Sequence, residues 1–132
     1  MVGIDPEFVD FSDPALPPGL DADVIRRGIE RGLENLRAAG HDARHLYIPI
    51  DPAGLDGFAE RLARDPVECV VVGGGVRLPP RNLALFEAVL NTVARATPTP
   101  VIALVARPDE VALAVSRVLG NGLVRTTNEA GP

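Results

Sequence analysis

The chain has 132 residues and a mass of 13.9 kDa, the size of one domain that can bury a core without disulfides or a structural metal. Its 13 basic residues are all arginine and its net charge is −5. Without lysine there is no Schiff base, no P-loop lysine and no lysine general base. The acidic balance also argues against nucleic acid or an anionic membrane surface as partner.

No apolar stretch approaches the roughly 20 residues of a membrane span. The first residues lack the basic and apolar regions of a signal peptide. The single cysteine excludes an internal disulfide and fits a reducing cytoplasm. The Ala-, Arg-, Gly-, Pro- and Val-rich composition suggests a high-GC bacterial source.

The elements alternate. Val2–Asp5 reads as a first strand, followed by a long linker, Pro6 to Gly19, that holds four prolines. Asp21 or Asp23 caps a helix running to about Ala39. Its apolar positions Ile25, Ile29, Leu33 and Leu36 share one face, and Gly40 ends it. His45–Ile50 reads as a second strand. Leu55, Phe58, Ala59 and Leu62 mark a short helix. Val67–Val72, with its continuous valine run, reads as a central parallel strand covered on both faces, closed by Gly73-Gly74-Gly75. A helix from Pro80 to about Ala96 follows, then a strand over Val101–Ala106. Pro108 opens the last helix, with Val111, Val115, Val118 and Leu119 inward and Gly120 as its stop. Residues 1–120 thus read as one domain. Residues 121–132 form a tail that is expected to be mobile, with Leu123–Val124 as a candidate short fifth edge strand.

This order predicts an α/β fold: a three-layer α/β/α sandwich around a mainly parallel four-stranded sheet. Right-handed crossovers give the strand order 2-1-3-4. Ligands of such sheets sit at the carboxyl ends of the strands, beside the reversal between strands one and three. His41 and His45 fall at the opposite edge, which disfavours imidazole catalysis at the ligand edge. Cys69 lies within the central strand and reads as a core residue.

Two segments carry the candidate chemistry. The first is Gly73-Gly74-Gly75-Val76-Arg77-Leu78-Pro79-Pro80-Arg81-Asn82. Its glycines permit positive φ and close backbone approach, and its arginines suit a carboxylate or phosphate. Gly73, Gly74, Gly75, Arg77 and Arg81, joined by Arg107, form a candidate ligand-binding set for a small anionic or polar molecule. The alternative is a glycine turn in which Arg77 pairs with an aspartate of the first loop. The spacing matches neither GxGxxG nor a P-loop, so the cofactor is left unknown.

The second segment is the first loop, with four carboxylates within nine residues and two of the five aromatics, Phe8 and Phe11. One reading makes Phe8 and Phe11 a lid and Asp5 or Asp10 a catalytic acid–base group, its pKa raised by burial. The others are a loop packed over the sheet and a contact with a partner or a second subunit of a homodimer. No HxH, CxxC or DxD pattern is present, so no metal is expected. Gly28 and Gly32, four apart on the first helix, cost helix propensity that close packing would offset.

The run Val9-Asp10-Phe11-Ser12-Asp13-Pro14-Ala15-Leu16-Pro17-Pro18-Gly19, with Val70–Pro80 and Asn82-Leu83-Ala84-Leu85-Phe86-Glu87, resembles a group of small bacterial single-domain proteins with Rossmann-like or flavodoxin-like folds. The resemblance implies the fold and a role for the two loops. It implies no activity. A receiver domain requires a lysine that is absent here, and a flavodoxin requires a hydroxyl-rich loop after the first strand. The function expected is therefore a small-molecule site at the carboxyl edge, either catalytic or purely binding.

Overall fold

A computed structural model of the protein describes residues 1–120. Four strands, β1 (Val2–Ile4), β2 (Leu46–Ile48), β3 (Cys69–Val72) and β4 (Val101–Leu104), form one parallel sheet in the order β2-β1-β3-β4. Five helices connect and cover them: α1 (Ala22–Ala38), α2 (Asp56–Arg64), α3 (Gly74–Arg77), α4 (Leu83–Arg95) and α5 (Val111–Leu119). The α/β fold and the strand order are those predicted. The Leu123–Val124 strand candidate lies outside the described residues.

The alternation of side chains along each strand divides the core into two layers. Val2, Ile4, Ile48, Val70 and Val72 point to one face and pack against Phe58 and Leu62 of α2 and Leu85, Val89 and Val93 of α4. Val71, Ala103 and Val105 point to the other, against Leu36 of α1 and Val111, Ala114 and Val115 of α5. Val72, Val76, Val89, Val93 and Val111 are fully buried. Among the described residues no helix is long and apolar enough to cross a membrane.

α1 starts where the sequence puts it. The Asp21 carboxylate accepts the Val24 N–H at 2.8 Å, satisfying one of the helix's unpaired donors. Gly28 and Gly32 allow this helix to pack directly on the turn into α5. A Cβ on Gly28 would lie 2.7 Å from Pro108 Cγ, and one on Gly32 2.5 Å from the Pro108 carbonyl oxygen.

All four strands are shorter than expected, β1 ending at Ile4 and β4 at Leu104, and the last helix is α-helical only from Val111. β2 spans three residues rather than six, and Pro49 just beyond it has no N–H to donate to a ladder. β3 begins at Cys69 rather than Val67, and Pro66, Val67 and Glu68 are exposed ahead of it. The helix predicted from Pro80 begins as a 3-10 turn, Pro80–Asn82, and becomes α-helical only at Leu83.

A second device repeats at the carboxyl edge. The chain leaves β1, β2 and β4 through proline-led 3-10 turns, Pro6–Phe8, Pro52–Gly54 and Pro108–Glu110. Proline at the first position fixes φ and forfeits only an N–H that would have no partner.

Candidate functional site

The carboxyl edge brings together the loop after β1, the glycine segment after β3 and the loop after β4. Gly73, Gly74, Gly75, Val9, Phe11, Leu16, Ala106 and Pro108 line a cavity there of about 50 Å³, room for a water or two. It runs beneath Ile25 and Ile29 of α1, and its wall is apolar apart from His45. None of Asp5, Asp10, Arg77, Arg81 and Arg107 lines it.

The glycines behave differently from expectation. None of the three has positive φ; among the described residues that conformation belongs to Gly19, Gly40 and Gly120. Gly74 and Gly75 instead open a single helical turn, α3. A Cβ on Gly74 would collide with the carbonyl oxygen of Ala106. Glycine at 74 is therefore fixed by the approach of α3 to the end of β4. Gly75 has ordinary room, its Cβ position being 3.7 Å from a methyl of Val9. The Asn82 side chain donates to the Gly75 carbonyl at 2.8 Å and ties the turn to the start of α4.

The carboxylates of the first loop mostly hold the loop itself. Asp5 accepts from Glu7 N–H at 3.0 Å, and Asp13 from Ala15 N–H at 2.9 Å. Asp51, after β2, does the same for Ala53 at 2.9 Å. All three are Asp-Pro-X sequences in which the aspartate closes an Asx-turn. The repetition of Asp-Pro-X was the sequence signal that these carboxylates shape turns.

Asp10 accepts from both the hydroxyl and the N–H of Ser12 and pairs with Arg81 at 3.2 Å. The Ser12 bonds, aided by Arg81, hold its carboxyl below the ordinary aspartate value. The expected upward shift is thus reversed at Asp10: the loop hydrogen-bonds the charged form and leaves it near solvent.

The arginines divide into two kinds. Arg81 bridges 71 residues to Asp10, so the first-loop ion pair exists but is made by Arg81, not Arg77. Arg107 pairs locally with Asp109 at 3.8 Å, while its N–H donates to Glu110 at 3.2 Å. Arg77 has no hydrogen bond or ion pair. Its Nε is buried without an acceptor, the single such side-chain atom among the described residues.

Of the two phenylalanines, Phe11 is half-buried over the small cavity, with Leu16 buried beside it. Phe8 is 64% exposed and does not line that cavity. Among the described residues no three His, Cys, Asp or Glu side chains are grouped as a metal ion would need.

The opposite edge holds a larger space that sequence reasoning passed over. A cavity of about 470 Å³ lies at the amino ends of β1, β2 and β3, beside α2 and the last turn of α5. His45 and Cys69 both line it. Burial pushes the His45 imidazole down to about 4 and raises the Cys69 thiol.

Comparison of the chain with protein-family models, curated proteins and solved structures gives no match.

Proposed function

We propose that the protein binds a small anionic or polar molecule at the carboxyl edge of its sheet, with Arg77 as the anchoring group. The observation that carries this reading is the Arg77 Nε, buried without an acceptor. Burying such a donor unpaired costs about 1–3 kcal/mol, more when it is charged. Arg77 lines neither cavity, so a ligand acceptor removes that cost by displacing the protein cover over Nε, and a guanidinium suits carboxylate or phosphate. Gly73–Gly75 and Arg107 flank Arg77 in the chain topology of the same edge.

Binding is favoured over acid–base catalysis. Asp5 is committed to a turn, and Asp10 is held ionised in a pair with Arg81. A general acid needs a carboxyl that is protonated near the working pH. The alternative of a partner contact has one observation in its favour, the 64% exposure of Phe8 in the 3-10 turn that opens the first loop.

The test is thermal unfolding in inorganic phosphate, acetate and succinate with the Arg77→Ala variant alongside. Ligand at ten times its Kd adds about 1.4 kcal/mol, which for this size raises Tm by about 5 °C. The rise is expected in the parent chain for at least one of these anions and is expected to vanish in Arg77→Ala. A rise of equal size in the variant would remove Arg77 from the site. No rise with any of them would remove the site.

A further inference from the structure

We infer that the cavity at the amino edge is a second small-molecule site, for a neutral molecule of one or two fused rings that carries one hydrogen-bonding group. Its volume, about 470 Å³, falls in the ~300–1,000 Å³ range of pockets that hold small organic ligands. It is about nine times the volume of the carboxyl-edge space, with which it shares Met1, Val2, His45 and Val71, and Arg77 lines neither, so its occupancy can be tested apart from Arg77.

The wall chemistry sets the class of ligand. Leu46, Phe58, Leu62, Val67 and Val70 supply apolar and aromatic surface from β2, α2 and β3. Burying a ring against such surface is favourable in proportion to the area removed from water. His45 is half-buried and stacks edge-on against Tyr47 at 4.6 Å, but neither of its ring nitrogens has a hydrogen-bond partner. It offers a neutral donor or acceptor to the polar group of a guest.

Charge at the mouth is largely paired off. Arg44 binds Asp42 at 3.1 Å and Arg61 binds Asp65 at 3.2 Å. Arg64 and Glu68 line the mouth with opposite signs. The Met1 amine, His45 and Cys69 are all moved by burial toward their uncharged forms. Arg64 and Glu68 are exposed, so a charged guest would lose its own water for a pair that solvent screens, and a neutral molecule is preferred.

Cys69, the chain's one cysteine, lines the cavity and reports on its occupancy. The measurement is the rate of Cys69 alkylation by iodoacetamide at pH 8, with 2-naphthol as the neutral probe and 2-naphthoate as its anionic counterpart. Millimolar 2-naphthol is expected to slow alkylation at least fivefold and saturably, with 2-naphthoate at least tenfold weaker. His45→Phe keeps a ring but loses the polar partner, and is expected to raise the half-protecting concentration about tenfold. Val67→Trp, at a rim position 41% exposed, fills the mouth without disturbing the core. It is expected to abolish the 2-naphthol effect. Alkylation indifferent to 2-naphthol in a protein with native circular dichroism would overturn the site. Equal protection by both probes would overturn the neutral class, and unchanged protection in Val67→Trp would place the probe elsewhere.

Discussion

At the scale of single residues, the carboxyl edge shows how one residue type serves two ends. Gly73, Gly74 and Gly75 are neighbours, yet their reasons differ. Gly74 is held by the backbone of Ala106, whereas Gly75 faces only a methyl of Val9. Gly74→Ala is therefore expected to lose about 2–3 kcal/mol, as backbone must shift to admit the methyl. Gly75→Ala is expected to stay within about 1 kcal/mol of the parent, since α3 is helical there and alanine suits a helix. Urea unfolding of both variants separates these outcomes. If the two lose equal stability, the close approach to Ala106 does not decide position 74. The glycine triplet was legible in the sequence as a special segment. Its cause was not, because the atom that excludes a Cβ at 74 comes from position 106. The same limit applies to the arginines. Sequence placed Arg77 and Arg81 on one edge, but only folded geometry shows that Arg81 takes the aspartate and Arg77 does not.

At the scale of elements, helices were the most legible, because a 3.6-residue apolar period is local information. Strands were drawn too long, since their ends depend on a neighbour being present to pair. The two glycines of α1 were legible as a packing device, and the structure supplies the partner, the Pro108–Val111 turn. This gives three Gly→Ala changes in helices with a defined order. Gly57 on α2 has no atom within 4 Å of its Cβ position. Gly57→Ala should gain up to about 1 kcal/mol from helix propensity. Gly28→Ala meets the ring of Pro108, and Gly32→Ala meets both the Pro108 carbonyl and a methyl of Val111 at 2.7 Å. The overpacking cost of about 1–3 kcal/mol should outweigh propensity at Gly32 and roughly cancel it at Gly28. The expected Tm order is thus Gly57→Ala above the parent, Gly28→Ala near it and Gly32→Ala lowest. A Gly32→Ala protein as stable as the parent would mean that α1 can slide away from α5 at no cost.

At the scale of the whole molecule, the two edges of the sheet respond differently to pH. The amino edge buries groups that bind protons more weakly in the folded chain than in the unfolded one. The His45 imidazole falls from 6.5 to about 4, through loss of water first and the nearby Met1 amine second. Between those values the unfolded chain holds a proton that the folded chain does not, so stability falls as pH drops through this window. The Met1 amine, lowered from 8.0 to about 6 by burial, acts in the same sense one window higher. At the carboxyl edge Asp10 is lowered from 3.8 by its Ser12 bonds. Its contribution is present above the unfolded value and is lost only as pH falls below it. Acid therefore weakens the amino edge before the carboxyl edge. Guanidinium unfolding from pH 8 to 4 is expected to give a continuous fall in stability. In His45→Gln, whose side chain does not titrate, the slope between about pH 6.5 and 4 should flatten while the slope above pH 6.5 persists. The Arg81–Asp10 tie should outlast both, so Arg81→Ala should lower the curve without changing its shape above pH 5. A His45→Gln curve parallel to the parent over the whole range would mean that the imidazole is as well hydrated in the fold as outside it, and the cavity at the amino edge would then be open to water.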